Sequence, residues 1–240
     1  MARISVLGGT GYAGSAVVRE AARRGHDVTA VSRTAPEVPV PGVTYVAGSV
    51  LEPEVLRQAV VGVDVVFEAL SPRGDMVGKV QAVIDDLIRL ADEAGVRLGA
   101  LGGVSSVLVA PEGPRLFDVS DPAPEVLPEI QLGLDKLAAL KGSPDSLDWF
   151  YVSPAVEFGA WVPSTETGRY RISDVVLLQG PDGSSEISAG GIAIAVRARI
   201  ENIYSRRGFA SIDPADLNGR MRWWGLYTQR RPGIEGGRTA

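Results

Sequence analysis

The stretch RISVLGGTGYAG, residues 3–14, constrains the fold of this chain more than any other. An apolar run from Ile4 to Leu7 ends in Gly8, Gly9, Gly11 and Gly14, and a helical pattern, AVVREAARRG, follows. Strand, glycine turn and helix in that order open a dinucleotide-binding fold. The spacing fits G-x-x-G-x-x-G through Gly8, Gly11 and Gly14, and G-x-G-x-x-G through Gly9, Gly11 and Gly14. A glycine permits a turn with positive φ, the missing Cβ lets a pyrophosphate approach, and Gly14 lets the helix lie close to the strand. A helix starting near Tyr12 then points its free N–H groups at the phosphates. A tight turn alone can use the same glycines; the context, a buried-type strand before and a second strand (HDVTAVSR) one helix later, points to a nucleotide.

Downstream, strand and helix patterns alternate. Val28 to Ser32, VTYVAG, Val63 to Leu70, VRLGAL and Trp149 to Val152 read as strands. Residues 76–94 and about 127–141 read as helices. Residues 110–126, rich in Pro and Asp, read as a loop. YRISDVVLLQGPDGSSEIS reads as a hairpin turning at Pro181-Asp182-Gly183. AGGIAIAVRARIENI reads as a last helix and RRGFASI as a final strand. The fold class is α/β: a Rossmann-like doubly wound parallel sheet with a small C-terminal part that covers the substrate. The domain is expected over 1–212, with 213–240 an Arg- and Trp-rich tail.

Composition narrows the function. At 240 residues and 45% hydrophobic, the chain suits one ordinary domain. A net charge of −5 argues against a nucleic-acid surface. No apolar run is long enough to span a bilayer, and the N-terminal glycines interrupt any signal pattern. With no cysteine there is neither thiolate nucleophile nor Cys-based metal site, and the expected location is cytoplasmic. The single histidine, His26, lies in the RRGHD turn, away from the expected chemistry. A His triad and a multi-His metal site are thereby disfavoured, and no metal is expected.

The second strand ends in Ser32, Arg33 and Thr34. An Asp or Glu there would bind the ribose hydroxyls of NAD, whereas a guanidinium suits the 2′-phosphate of NADP. A contact worth about 1.5–3 kcal/mol gives NADPH a tenfold to hundredfold preference with NADH still accepted. A solvated arginine at a strand end is the plainer reading. Ala69 to Pro72, at the C-terminal end of the fourth strand, is expected along the cofactor.

Taken together, LGGTGYAG, RGHDVTAVSR, GSVLEPEVL, LGGVSSV, LDWFYVSPAVEFG, TGRYRIS and EISAGGIAIAVRARIEN resemble the atypical short-chain dehydrogenases, in their NADH-flavin-reductase-like branch. The resemblance spans about residues 3–212, and the SPAVEFG and TGRYR segments are its more specific part. Relatives bind NAD(P)H and reduce flavins, quinones or linear tetrapyrroles. The resemblance implies pyrophosphate binding by Gly8, Thr10, Gly11, Tyr12 and Gly14. It implies phosphate binding by Arg33, adenine contact by Ser49 and Val50, and a nicotinamide-ribose wall of Ala69, Leu70 and Ser71. Gly103, Val104 and Ser105 approach the nicotinamide; Ser153, Pro154, Ala155 and Phe158 cover it. NADP(H) is the implied cofactor, with NAD(H) second and FMN or FAD as a substrate.

Three departures stand out. Ser49 occupies the position where relatives usually carry Asp, which weakens one acceptor to the adenine amine. Gly190-Gly191 opens the last helix in place of an acidic residue, which implies a weaker cap and a more mobile lid. The Tyr-x-x-x-Lys pair of typical short-chain dehydrogenases is missing: Leu132 stands four before Lys136, and neither Tyr151 nor Tyr170 has Lys four later. Carbonyl reduction needs a proton on oxygen, normally from that Tyr. Conjugated acceptors spread the incoming charge, so the protein mainly holds donor and acceptor face to face. Ser105 and Ser106 are candidate hydrogen-bond donors, or a pair satisfying loop backbone. Glu157 is a candidate proton source, or a loop carboxylate paired with Arg169 or Arg171.

The tail DPADLNGRMRWWGLYTQRRPGIEGGRTA resembles the region near the start of actinobacterial sulfite and nitrite reductases through RWWGLYTQRRPG. It is too short for a sirohaem site, and there is no Cys for a cluster. A fusion remnant, a docking arm with Trp and Arg anchors and a plain flexible tail are the three readings. For the whole chain the expected partner is a small-molecule acceptor, with a homodimer possible, the tail contributing contacts, and neither nucleic acid nor membrane. A reductase of conjugated acceptors leads. A non-catalytic NADP sensor, similar to regulators of nitrogen metabolite repression, comes second, and an epimerase or dehydratase third.

Overall fold

The computed structural model describes residues 1–162 and 171–201, and the backbone of 207–213. Eight strands form one sheet: β1 (Arg3–Leu7), β2 (Asp27–Ser32), β3 (Val43–Ala47), β4 (Val65–Glu68), β5 (Arg97–Leu101), β6 (Trp149–Ser153), β7 (Arg171–Ser173) and β8 (Arg207–Asp213). Their order is β3-β2-β1-β4-β5-β6-β8-β7. Every pairing is parallel except β7 with β8. The chain winds outward from β1 in both directions, so the crevice lies between the C-terminal ends of β1 and β4.

The described residues hold six helices: α1 (Tyr12–Arg23), α2 (Pro53–Val60), α3 (Val80–Ala94), α4 (Leu116–Val119), α5 (Leu127–Lys141) and α6 (Ala189–Glu201). Strand alternation sorts the two cores. Ile4, Val6, Val65, Phe67, Phe150 and Val152 face α1 and α6. Leu7, Val66, Leu98, Ala100, Trp149 and Tyr151 face α2, α3 and α5. Gly99 lies where the stacked rings of Phe67 and Phe150 meet, 6.1 Å apart; a Cβ there would stand 2.3 Å from Phe150.

Three expectations change. The stretch 110–126 holds a one-turn helix, α4, because Asp118 accepts the Arg115 N–H and pairs with its guanidinium at 2.7 Å. The helix expected from residue 76 starts at Val80, since Gly78, with φ +71°, separates it from a 3-10 turn over Gly74–Met76. The hairpin does not form. Its turn is present, with the Gly180 N–H donating to Ser184 O at 2.7 Å and Gly183 at φ +82°. The arms diverge, however. Leu177 N–H donates to Leu108 O, Ile187 N–H donates to Glu157 O, and β7 pairs with β8. These long-range backbone partners draw the two arms apart, across the C-terminal ends of β5 and β6, where a substrate cover was expected.

Candidate functional site: a nucleotide cleft

The glycine loop is wedged between β2 and β4. Gly8 and Gly9 donate their N–H groups to Val31 O at 2.9 and 3.2 Å, and Gly11 N–H donates to Gly8 O at 2.9 Å. Gly8 has φ +77°, and a Cβ there would stand 2.7 Å from Ala69 O. A Cβ on Gly14 would stand 2.2 Å from Gly8 O. Neither position admits a side chain, so the loop presents bare backbone. The exposed edge is Thr10, Gly11 and Tyr12. The α1 N-cap, Gly11, has no side-chain cap, and the first turn carries no acidic residue. The N–H groups of the first turn have no intrahelical acceptor. This cradle fits a dinucleotide pyrophosphate.

At one end of the cleft, Arg33 follows β2 and forms an ion pair with Asp75 of the 3-10 turn. Ser49 Oγ accepts the Leu51 N–H at 3.3 Å and so braces the entry to α2. Val50 is buried and lines a cavity of about 430 Å³ between α2 and α3, together with Leu56, Lys79 and Val83.

At the other end, Ala69 N–H donates to Leu7 O at 3.0 Å, and Leu70 N–H donates to Glu68 Oε1 at 2.7 Å. Glu68, wholly buried, also takes both bonds of Lys136 Nζ at 2.9 Å, and Lys136 is itself only 4% exposed in its side chain. Lys136 Nζ lies 3.4 Å from Leu101 O as well. One ion pair thus fastens α5 to the exits of β4 and β5.

Gly103 is the second knot. Its N–H donates to Tyr151 Oη at 3.1 Å, and Tyr151 donates to Gly133 O at 2.8 Å. Its carbonyl accepts from Ser153 Oγ at 2.6 Å and from Ser106 Oγ at 3.1 Å. Burial pushes the Tyr151 phenol up to about 12, against the smaller opposing pull of the Gly103 N–H and the Ser106 hydroxyl. Tyr151 and Lys136 therefore come near the same backbone without making an acid–base pair. The phenol holds its proton on Gly133 O, and the ammonium is committed to Glu68.

Of the serine pair, Ser106 is spent on Gly103 O, and its Oγ lies 3.3 Å from that of Ser153. Ser105 is half-buried, and its hydroxyl has no hydrogen-bond partner among the described residues. Val104 stands beside it in the 3-10 turn Val104–Ser106. Pro154 and Ala155 are buried just beyond β6. The Phe158 ring lies 5.4 Å from that of Tyr12, so it walls the glycine loop. Glu157 is exposed; its Oε2 accepts the Trp161 indole N–H at 3.1 Å, and Arg171 Nη2 donates to Gln179 O. Arg169 and Tyr170 lie outside the described residues. The start of α6 is better tied than its two glycines suggested. Ala189 N–H donates to Tyr12 Oη and Gly191 N–H to Ser188 Oγ, both at 3.3 Å.

Sequence reasoning missed Glu68 and Asp75. A lone carboxylate at the end of the buried strand VVFE was the available signal for Glu68. Asp75, in an exposed turn, gave none. Groups of three or more His, Cys, Asp or Glu able to hold a metal ion are absent among the described residues. None of the described helices is long and apolar enough to cross a membrane.

A family model described as NAD(P)H-binding matches residues 8–198. The uncharacterized protein YwnB of Bacillus subtilis is 30% identical over 202 residues, covering 83% of this chain and 92% of that protein. A sulfite reductase [ferredoxin] of Mycobacterium tuberculosis is 54% identical over 55 residues. The chain spans only 10% of that enzyme's length, and the match takes 23% of this chain. Among solved structures, one described as a "putative NADH-flavin reductase" from Streptococcus pneumoniae aligns with a TM-score of 0.74 at 25% identity, covering 90% of this chain and all (100%) of that one. A "putative epimerase" from Bacteroides thetaiotaomicron aligns with a TM-score of 0.78 at 27% identity, covering 91% and 100%. A "putative exported protein" from Burkholderia pseudomallei aligns with a TM-score of 0.76 at 34% identity, covering 89% and 100%. With a glycine cradle built for a pyrophosphate, a family match over 8–198 and a relative similar over nearly its full length, this chain belongs to the NAD(P)H-binding family.

Proposed function

We propose that this protein is an NADPH-dependent reductase that passes hydride to a flavin, a quinone or a similar conjugated acceptor, with NADH as the weaker donor. The observation that carries the reading is the commitment of Tyr151 and Lys136. A buried phenol raised to about 12 and an ammonium locked to a carboxylate leave no ready proton for an alkoxide. Acceptors that delocalise the incoming charge do not need one at the moment of transfer.

A bound reduced nicotinamide supplies the hydride. The chain's own part is to hold and orient. The turn set by Gly8 and Gly14 brings the pyrophosphate to the free N–H groups of the first turn of α1, and Arg33 faces the adenosine ribose. The knot at Gly103 fixes the backbone beneath the nicotinamide, and Ser105 offers one hydroxyl to the acceptor. The expected small-molecule partner, a cytoplasmic location, a homodimer and the division at 212/213 belong to the same proposal; β8 reaches Asp213, one residue past that division. A second reading, a non-catalytic NADP(H) sensor, is favoured by the Ser106 and Ser153 hydroxyls, both turned to one carbonyl and away from chemistry.

The test is titration of NADPH and NADH by fluorescence, with FMN and then a quinone added in the same cuvette. Binding followed by nucleotide oxidation supports the reductase. Binding without oxidation across the acceptors supports the sensor. Absence of binding by either nucleotide overturns both.

A further inference from the structure

The ion pair between Arg33 and Asp75 has a defined place in the fold. Arg33 follows β2, Asp75 follows β4, and β1 lies between those two strands. The pair therefore crosses above the C-terminal end of β1, where the glycine loop begins, on the side where the adenosine ribose belongs. Two neighbouring strands are about 4.8 Å apart, so the bridge spans roughly 10 Å. Asp75 is held by its turn. Met76, next to it, is buried in the core under α3, and its N–H donates to Arg73 O at 3.2 Å. Both charged side chains remain open to solvent, at 62% and 46% exposure, so a ligand can reach them.

A guanidinium facing a 2′-phosphate here already has a counter-ion. Asp75 takes one Nη1 donor, so a phosphate on the remaining N–H groups shares its cation with a carboxylate. The carboxylate also repels a dianion placed beside the same cation. Holding an exposed arginine in place gains little, whereas a dianion within roughly 7 Å of a fixed negative charge loses more than that at low salt. Repulsion therefore outweighs orientation.

We propose that Asp75 is a specificity-determining residue that offsets Arg33. NADH binds with the pair undisturbed, while NADPH must set its 2′-phosphate beside the Asp75 charge, so the chain accepts both nucleotides with a muted preference. This inference rests on the cofactor reading above, with the 2′-phosphate at Arg33.

The experiment compares the full chain with Asp75→Asn and Arg33→Ala by calorimetric titration at low salt. The probes are NADPH, NADH and the fragments 2′,5′-ADP and AMP, which isolate the phosphate. Asp75→Asn is expected to tighten NADPH and 2′,5′-ADP about five- to tenfold, leaving NADH and AMP within about twofold, and the gain shrinks as salt rises. Arg33→Ala weakens the two 2′-phosphorylated ligands, NADPH and 2′,5′-ADP, and abolishes the gain from Asp75→Asn in the double variant. Unchanged or weaker NADPH binding in Asp75→Asn overturns the inference while wild-type binding of both nucleotides still upholds the cofactor reading. Equal weakening of NADPH and NADH makes the pair a clasp over the dinucleotide and also overturns it. Failure of the wild type to bind any nucleotide condemns the underlying reading instead.

Discussion

Replacing Lys136 by Met isolates what the buried ion pair contributes. The ammonium makes two bonds of 2.9 Å to Glu68, and neither side chain sees solvent appreciably, at 4% and 0% exposure. Met matches the aliphatic stem of Lys, so little packing is lost. What remains is Glu68, buried, with only the Leu70 N–H at 2.7 Å to satisfy it. Breaking a buried pair from one side costs about 3–5 kcal/mol, against about 0–1 for a surface pair. For a total stability of about 5–15 kcal/mol the loss is large but measurable. In urea, at about 2 kcal/mol per M, the midpoint falls by roughly 2 M. The companion variant, Glu68→Gln with Lys136→Met, removes both charges and keeps an Oε1 acceptor for Leu70. It is expected to return to within about 1–2 kcal/mol of wild type. A single variant that loses less than about 1 kcal/mol, or a double variant no better than the single, refutes the assignment of this pair as the tie between α5 and the β4 exit.

Three further outcomes follow from the same geometry. Gly14→Ala sets a Cβ 2.2 Å from Gly8 O, and nucleotide affinity is expected to fall at least tenfold, by about 1.4 kcal/mol or more; a fluorescence titration matching wild type sinks the cradle. The Arg3 guanidinium and backbone N–H hold the Asp64 carboxyl down at about 2. That folded value lies below the unfolded value of about 3.9, so the stabilisation is present above about pH 4 and lost as pH falls toward 2. The melting-temperature gap between wild type and Asp64→Asn should therefore hold from pH 7 to 5 and close by about pH 2, at a size under about 1 kcal/mol for so exposed a pair; a gap that persists at pH 2 contradicts it. Deletion of residues 214–240 should leave nucleotide affinity unchanged while gel filtration reports any loss of self-association, and a large drop in affinity would make the tail part of the site.

The sheet and its main helices were legible because their signals are local. Ile4 to Leu7 before the glycines, Trp149 to Ser153 and the helical repeats of Val80–Ala94 and Leu127–Lys141 each declare themselves within a dozen residues. The glycine cradle was legible for the same reason. The hairpin was misread because a turn signal is local but strand pairing is not. Pro181-Asp182-Gly183 does turn, yet Leu108 and Glu157, far away in sequence, decide where the arms go. Glu68 with Lys136, and Arg33 with Asp75, share the second difficulty, since their separations of 68 and 42 residues leave no trace in any window.

The same non-local contacts bear on what the missing Tyr-x-x-x-Lys pair means. By sequence, Lys136 looked like a catalytic lysine that had lost its tyrosine, and Tyr151 like a tyrosine without its lysine. In three dimensions Tyr151 joins the Gly103 N–H to Gly133 O, Lys136 reaches Glu68 and Leu101 O, and both are spent on structure. Gly102 shows how closely the phenol is packed: a Cβ on it would fall 1.7 Å from the Tyr151 ring. A group so enclosed cannot swing out to meet a substrate without opening the core, at the cost of its hydrogen bonds and its burial. These polar side chains thus tie the strand exits together, beneath the proposed cofactor site. Such bracing suits the proposed reaction, whose main requirement is that two planar systems meet face to face.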